Sequence, residues 1–137
     1  MANVWLFKTE PSAYSFAALR AEGGTTWDGV KNPLALKHLA AVRKGDRIFI
    51  YHTGDEKAVV GVAEATSDAY PDPKKPNTKL LVVDLKPLRP LAAPVSLAAV
   101  KGSKHFAGFD LVRLPRLSVM PVSAGHAEEI ERMAKEH

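Results

Sequence analysis

The richest group of chemically useful side chains lies in residues 27–33, which read Trp-Asp-Gly-Val-Lys-Asn-Pro. Asn32 followed by Pro33 predicts the start of a helix, because an Asn side chain accepts a hydrogen bond from a free helix N–H and proline needs no N–H there. The positive end of that helix would lie beside Trp27 and Lys31, where it suits an anion or the electron-rich edge of a flat ring. The stretch therefore predicts a planar ligand; the alternative is that Trp27 only packs in the core.

A second group of polar side chains follows the first predicted strand. Residues 3–8 are rich in aromatic and branched side chains, and Lys8, Thr9 and Glu10 stand where the chain leaves the sheet. A lysine and a carboxylate at a strand end can contact a ligand, or act as an acid/base pair if the fold brings them together. The alternative is that both charges lie in solvent and that Thr9 caps a turn.

A third group stands at the end of another strand. Residues 47–52 have a strong strand pattern that ends in Tyr51, His52 and Thr53, just before a predicted hairpin turn at residues 54–57. His52 has the chemistry of a general base or a metal ligand, and it could form an acid/base pair with Asp28 if the fold brings the two together. A lone histidine at a strand end more often satisfies a neighbouring backbone group, and we favour that role.

Composition excludes several classes of protein. The chain has 137 residues, no cysteine, and 19 Lys and Arg against 15 Asp and Glu. The lack of cysteine excludes disulfides and thiolate zinc sites, and a net charge of +4 is too small to define a nucleic-acid binder by itself. The sequence has no phosphate-cradling glycine motif, paired-histidine metal motif or glycine-flanked nucleophilic serine. Its apolar runs are too short for a signal peptide or a membrane span, so we expect a cytoplasmic protein without membrane contact.

The hydrophobic pattern predicts an α+β fold in one domain that spans residues 1–137, with a strongly bent sheet or a small barrel. Gly61 is expected at a bulge or a point of close approach. Pro87 and Pro90 are expected to end a strand. Strands are predicted at residues 3–8, 25–27, 47–52, 58–65, 79–86 and 113–122. Helices are predicted at 16–22, 33 to about 42, 97–100 and 124 to the C-terminus, with Ser15, Asn32, Ser96 and Ser123 as caps.

Four segments together resemble the EVE domain family. They are residues 5–11 (Trp-Leu-Phe-Lys-Thr-Glu-Pro), 27–32 (Trp-Asp-Gly-Val-Lys-Asn), 51–53 (Tyr-His-Thr) and 116–122 (Arg-Leu-Ser-Val-Met-Pro-Val). They extend over nearly the whole chain, and four matches in the right order are far more specific than any one of them. Thr9 stands where serine is expected and Lys31 where arginine is usual, and lysine lacks the planar two-pronged contact of arginine.

This resemblance implies a PUA-like fold, a mixed β-barrel with flanking helices, similar to the YTH readers of methylated adenine. It implies a non-catalytic domain, without cofactor or metal, that binds DNA or RNA carrying a modified base such as methylated or hydroxymethylated cytosine. Trp27 would stack on a base that has left its own stack, and we expect a monomer. The other base contacts would be Lys8, Thr9, Glu10, Val30, Asn32, Tyr51, His52 and Thr53, and the phosphate contacts would be Lys31, Arg113 and Arg116.

Two other functions stay open. The related ASCH type, also PUA-like, would make the protein a hydrolase of a modified nucleoside, with Lys8 and Glu10 as the acid/base pair. A protein-interaction module would keep the pocket only as a remnant. Turnover that depends on Lys8 would identify the hydrolase, and binding that ignores Trp27 would identify the interaction module.

Overall fold

The computed structural model describes residues 2–135 and has an α+β order of elements, as predicted. The strands are β1 (Val4–Thr9), β2 (Thr25–Trp27), β3 (Arg47–His52), β4 (Ala58–Ala65), β5 (Tyr70–Pro71), β6 (Leu81–Ser96) and β7 (Val119–Val122). The helices are α1 (Phe16–Glu22), α2 (Pro33–Ala40), α3 (Leu97–Lys101), α4 (Asp110–Arg113) and α5 (Ala124–Lys135), with a 3-10 turn at Lys104–Phe106. The predicted end of the last helix, at residues 136–137, lies outside the described residues.

One mixed sheet carries the fold, in the strand order β2-β6-β4-β3-β1-β7, with β5 paired to β6. β1 and β3 run parallel, and the other pairs are antiparallel. The sheet is strongly curled. Three strands, β6, β4 and β3, separate β2 from β1 in the sheet order, yet the ring of Trp27 on β2 lies only 5.6 Å from the ring of Phe7 on β1. It therefore forms a half-barrel, as predicted, with an open seam between its edge strands β2 and β7.

The hydrophobic core fills the half-barrel and continues beneath the helices on its outside. Ile48, Phe49 and Ile50 on β3 are all 1% exposed or less, so both faces of this strand are covered. α5 packs against β6 and α2 against β7. No helix within residues 2–135 is both long enough and apolar enough to cross a membrane.

Short-range signals in the sequence placed several elements correctly. The side chains of Ser15, Asn32 and Ser96 each accept a hydrogen bond from the backbone N–H three residues later, so they cap α1, α2 and α3 as predicted. Gly61 lies at a shift in the β4–β6 register, where a Cβ would sit 2.4 Å from the ring of Phe16. The predicted close approach at Gly61 is confirmed.

The prediction that Pro87 and Pro90 end a strand is wrong, because β6 continues through both to Ser96. β6 pairs with β5 and β2 only as far as Leu85; beyond that residue its ladder is with β4 alone. A proline ring can lie on the unpaired side of such a strand without removing a ladder hydrogen bond. The register shifts of β4 against β6 fall in the same stretch.

The prediction of one strand over residues 113–122 is also wrong in its first half. Arg113 is the last residue of α4, where it pairs with Asp110 at 2.7 Å, and the strand β7 begins at Val119. An ion pair at this spacing supports a helical turn. The residues between form a turn in which Leu117 N–H donates to the carbonyl of Leu114.

Candidate functional site

A pocket of about 300 Å³ opens at the seam of the half-barrel. Its walls come from the end of β1, the segment before α1, β2 with the turn after it, and the residue before β7. This volume is at the lower end of the range typical of small-ligand sites. The lining residues are Lys8, Thr9, Tyr14, Thr25, Thr26, Trp27, Asp28, Gly29, Val30 and Ser118.

Trp27 forms the aromatic wall of this pocket. Its side chain is mostly buried, with 8% of the residue exposed. The ring packs against Phe7 at 5.6 Å on one side and meets the edge of Tyr14 at 6.1 Å. These contacts hold the indole in one orientation, so a flat ligand would meet a preformed surface rather than a mobile side chain.

The two tryptophans of the chain differ in their polar group. The indole N–H of Trp5 donates to the Asp46 carboxylate at 2.8 Å in the core. The indole N–H of Trp27 has no hydrogen-bond partner in the described residues. Its nitrogen is not fully buried, so it can be reached by solvent. Because a buried tryptophan usually finds a partner for its N–H, Trp27 offers a free, solvent-accessible donor in the wall of a pocket.

Lys8 supplies the positive charge of the pocket. The β1–β3 register sets it opposite Tyr51, and its ammonium lies 5.6 Å from the centre of the Tyr51 ring. The same ammonium donates to the carbonyl of Pro115 at 2.8 Å. Burial lowers the pKa of Lys8 below its ordinary value.

Several hydroxyl groups of the lining hold the walls together. Thr9 donates to the carbonyl of Tyr14 at 2.7 Å, and Thr26 donates to the carboxylate of Asp84 at 2.8 Å. Tyr14 also bonds the carboxylate of Glu22. These bonds tie the pocket to α1 and β6, which fixes its shape.

His52 is turned away from the pocket. Phe16 N–H donates to its Nε2 at 3.0 Å, so the ring proton is on Nδ1, which lies 2.6 Å from Glu56. This is the bond to a neighbouring backbone group that we favoured. The Asp28 carboxylate, which lines the pocket, is not the partner of His52.

Glu10 is also outside the pocket lining. Its carboxylate accepts hydrogen bonds from the backbone and the side chain of Ser12, and these bonds lower the pKa of Glu10. No ion pair joins Glu10 to Lys8 in the described part of the chain. Lys8 and Glu10 instead bond to Pro115 and to Ser12, respectively.

Tyr51 and Thr53 support the pocket without lining it. Tyr51 is 3% exposed beneath Lys8. Thr53 N–H donates to the carbonyl of Thr9 at 2.9 Å, which continues the β1–β3 ladder past the end of β3.

Asn32 lies beside a second hollow rather than in the seam pocket. Its side chain accepts the N–H of Ala35 at 3.0 Å. With Arg116 it borders an apolar hollow of about 320 Å³ that includes the exposed Leu34. Pro115, which accepts a hydrogen bond from Lys8, also lines this hollow, so the two cavities are neighbours.

The three expected phosphate contacts differ in their surroundings. Lys31 and Arg116 are exposed. Arg113 is exposed too, but its guanidinium makes two hydrogen bonds to Asp110.

The sequence did not identify six of the ten lining residues as site residues. Asp28 was considered only as a partner for His52. The curl of the sheet brings Tyr14 and Ser118 into the pocket lining. Of these two, only Ser118 could have been suspected from the sequence, because it lies in the family-like segment 116–122. The remaining missed residues are Thr25, Thr26 and Gly29.

The sequence matches the EVE domain family over residues 3–133. Rat thymocyte nuclear protein 1 is 29% identical, over 90% of this chain and 70% of the relative. An NMR structure of a protein from Rhodopseudomonas palustris is 42% identical, with a TM-score of 0.92, and covers 99% of this chain and 97% of its own. Human thymocyte nuclear protein 1, solved in complex with DNA containing 5-methylcytosine, is 24% identical, with a TM-score of 0.92 and coverage of 99% of both chains. This likeness confirms the PUA-like fold.

Proposed function

Because this chain belongs to the EVE domain family, we propose that it is a non-catalytic reader that takes one modified base of DNA into the seam pocket and stacks it on Trp27. The observation that carries the proposal is the free indole N–H of a ring that is otherwise buried and fixed in a pocket wall. Further support comes from human thymocyte nuclear protein 1, which has the same fold and was solved with DNA containing 5-methylcytosine.

The energy balance favours a single strand as the first ligand. Extracting a base from a duplex costs a few kcal/mol, while stacking on an aromatic side chain returns about 1–3 kcal/mol. A buried methyl group adds about 0.8 kcal/mol. Stacking and a methyl group together offset the extraction cost only narrowly, so strong preference for a modified base must come from hydrogen bonds and shape.

In this proposal the expected base contacts fall into two sets. Lys8, Thr9 and Val30 line the pocket beside Trp27 and would contact the base directly. The other expected residues act around the pocket: Tyr51 and Thr53 position β1 and β3, and Glu10 and His52 hold the turns at the strand ends.

The phosphates of the bound strand would lie outside the pocket. We propose that they contact Lys31 and Arg116, which are both exposed; Arg116 also lines the neighbouring hollow together with Asn32. In this proposal the reader acts as a monomer.

The first test compares two substitutions of the same chemical kind. Trp27→Phe keeps a ring but deletes the free N–H, and it should weaken binding to a single strand carrying one 5-methylcytosine by about three- to tenfold. Trp5→Phe is the matched control: it leaves the Asp46 carboxylate short of one donor, so it should lower the melting temperature and leave binding unchanged. Fluorescence anisotropy at two salt concentrations measures binding, and thermal unfolding measures stability.

The proposal fails if strands with cytosine, 5-methylcytosine and 5-hydroxymethylcytosine bind alike and weaken together as salt rises, because such binding involves phosphates alone. It also fails if Trp27→Phe binds as well as the wild type. Matching RNA strands in the same assay decide between DNA and RNA. Release of free base from modified nucleosides, abolished by Lys8→Gln, would replace the reader by the hydrolase.

A further inference from the structure

Two polar side chains beside Trp27 are not used by the fold. Among the polar groups that line the seam pocket, Thr9, Thr26 and Lys8 already make hydrogen bonds to other parts of the chain. The carboxylate of Asp28 and the hydroxyl of Ser118 have no hydrogen-bond or ion-pair partner in the described residues. The lining of the pocket therefore includes an unused acceptor as well as the unused donor of Trp27.

Asp28 is set in place by the backbone around it. It follows the last residue of β2 and precedes Gly29, whose φ of +78° is a conformation that favours glycine. Trp27, the preceding residue, is fixed by its ring contacts, and both residues line the same pocket. A carboxylate there is an acceptor with no donor of its own.

We propose that Asp28 accepts a hydrogen bond from the exocyclic amino group of the bound base, and that the pocket thereby selects amino bases, cytosine above all, against keto bases. This inference rests on the proposed function and assigns the recognised edge of the base. A cytosine amino group donates to a carboxylate, which is the usual pairing of acidic side chains with cytosine. A carbonyl oxygen at the same position would face the carboxylate as a second acceptor, and neither group could be satisfied.

The charges of the pocket fit this orientation. Cytosine carries its amino group and its carbonyl oxygen at the two ends of its Watson–Crick edge. The pocket has the Asp28 carboxylate as an acceptor and the ammonium of Lys8 and the indole N–H of Trp27 as donors. A base whose amino group meets Asp28 can turn its carbonyl oxygen toward a donor.

The sharpest probe is a pair of bases with the same methyl group. 5-Methylcytosine and thymine differ in the amino or carbonyl group at position 4 and in the proton on the neighbouring ring nitrogen. The wild-type protein should bind a single strand with one 5-methylcytosine about tenfold or more tightly than the same strand with thymine at that position. Asp28→Asn should reduce this ratio to about threefold or less, because the new amide can donate to the thymine carbonyl.

Asp55→Asn is the matched control, since Asp55 is an exposed aspartate in the turn between β3 and β4, outside the pocket lining, and its loss changes the net charge equally. It should keep the wild-type ratio. Equal melting temperatures for both variants would show that the fold is intact.

The outcomes separate the inference from the proposed function. If the wild type distinguishes modified from unmodified cytosine but Asp28→Asn keeps the preference over thymine, Asp28 is not the reader of the amino group and the reader function stands. Equal binding of 5-methylcytosine and thymine by the wild type also overturns the inference. If no strand binds in a way that depends on the base, both fall.

Discussion

Replacing Gly61 with alanine would place a Cβ 2.4 Å from Cζ of Phe16, with two more atoms of that ring at 2.5 and 2.6 Å. Ordinary contacts of a Cβ begin at 3.4 Å, so the ring must retreat by about 1 Å. Phe16 is 5% exposed and packed in the core, and its backbone N–H is tied to His52. The ring therefore has little room to move without shifting the start of α1.

The expected cost follows from this overlap. Overpacking of a close-packed core costs about 1–3 kcal/mol. With an unfolding entropy of about 2.1 cal/mol/K per residue, that cost corresponds to a fall in the melting temperature of about 3–10 °C for a chain of this length. Because α1 follows Tyr14, which forms one wall of the pocket, binding of the modified strand should weaken as well.

Thermal and urea unfolding of Gly61→Ala measure the cost, and Gly125→Ala is the control. Gly125 lies in α5, where a Cβ would meet nothing within 4 Å. The same change there should stabilise the protein by about 0.5–1 kcal/mol, because alanine loses less backbone freedom than glycine in a helix. The two substitutions should thus have opposite signs.

A double-mutant cycle tests the proposed cause. In a Phe16→Leu background the colliding ring atoms are gone, so Gly61→Ala should cost at least about 1 kcal/mol less than in the wild type. The reasoning is refuted if Gly61→Ala is as stable as the wild type, or if the two substitutions are additive.

Two further predictions concern charged groups. The hydrogen bonds from Ser12 hold the pKa of Glu10 below its ordinary 4.5, so their stabilising effect is present above that pH and is lost as the pH falls through the lowered pKa. In an NMR titration, Ser12→Ala should therefore raise the pKa of Glu10. An unchanged pKa would contradict the assignment. Arg116→Ala should weaken binding to all strands equally and reduce the salt slope by about one, whereas Arg113→Ala, whose guanidinium is already paired with Asp110, should change the slope less. Equal slopes for both variants would contradict this difference.

The sequence predictions were most accurate for structural features that depend only on residues close together in the chain. A Ser or Asn side chain that caps a helix needs only the N–H three residues later, so Ser15, Asn32 and Ser96 were assigned correctly. The strand continuing through Pro87 was missed, because tolerance of proline depends on whether a second strand lies on that side, and sequence alone does not show this.

The candidate site was predictable only in part, for a related reason. Trp27 and Lys8 were named because their segments stand out chemically, and both line the pocket. Glu10 and His52 stand at strand ends just as Lys8 does, yet their side chains accept hydrogen bonds from the backbone N–H groups of Ser12 and Phe16. Which strand-end side chains face the seam is decided by the curl of the sheet, a property of the whole barrel rather than of any segment.

The pairing of β1 affects how the protein folds during its synthesis on the ribosome. β1 lies between β3, which begins at Arg47, and β7, which begins at Val119, so its apolar side chains wait for partners that are synthesised much later. Such distant pairings slow folding and leave the nascent strand available to chaperones. Since Ser118 closes the seam pocket, a nascent chain that stops before this residue would lack a complete ligand site. Ligand binding would thus report that the whole barrel has been made and folded.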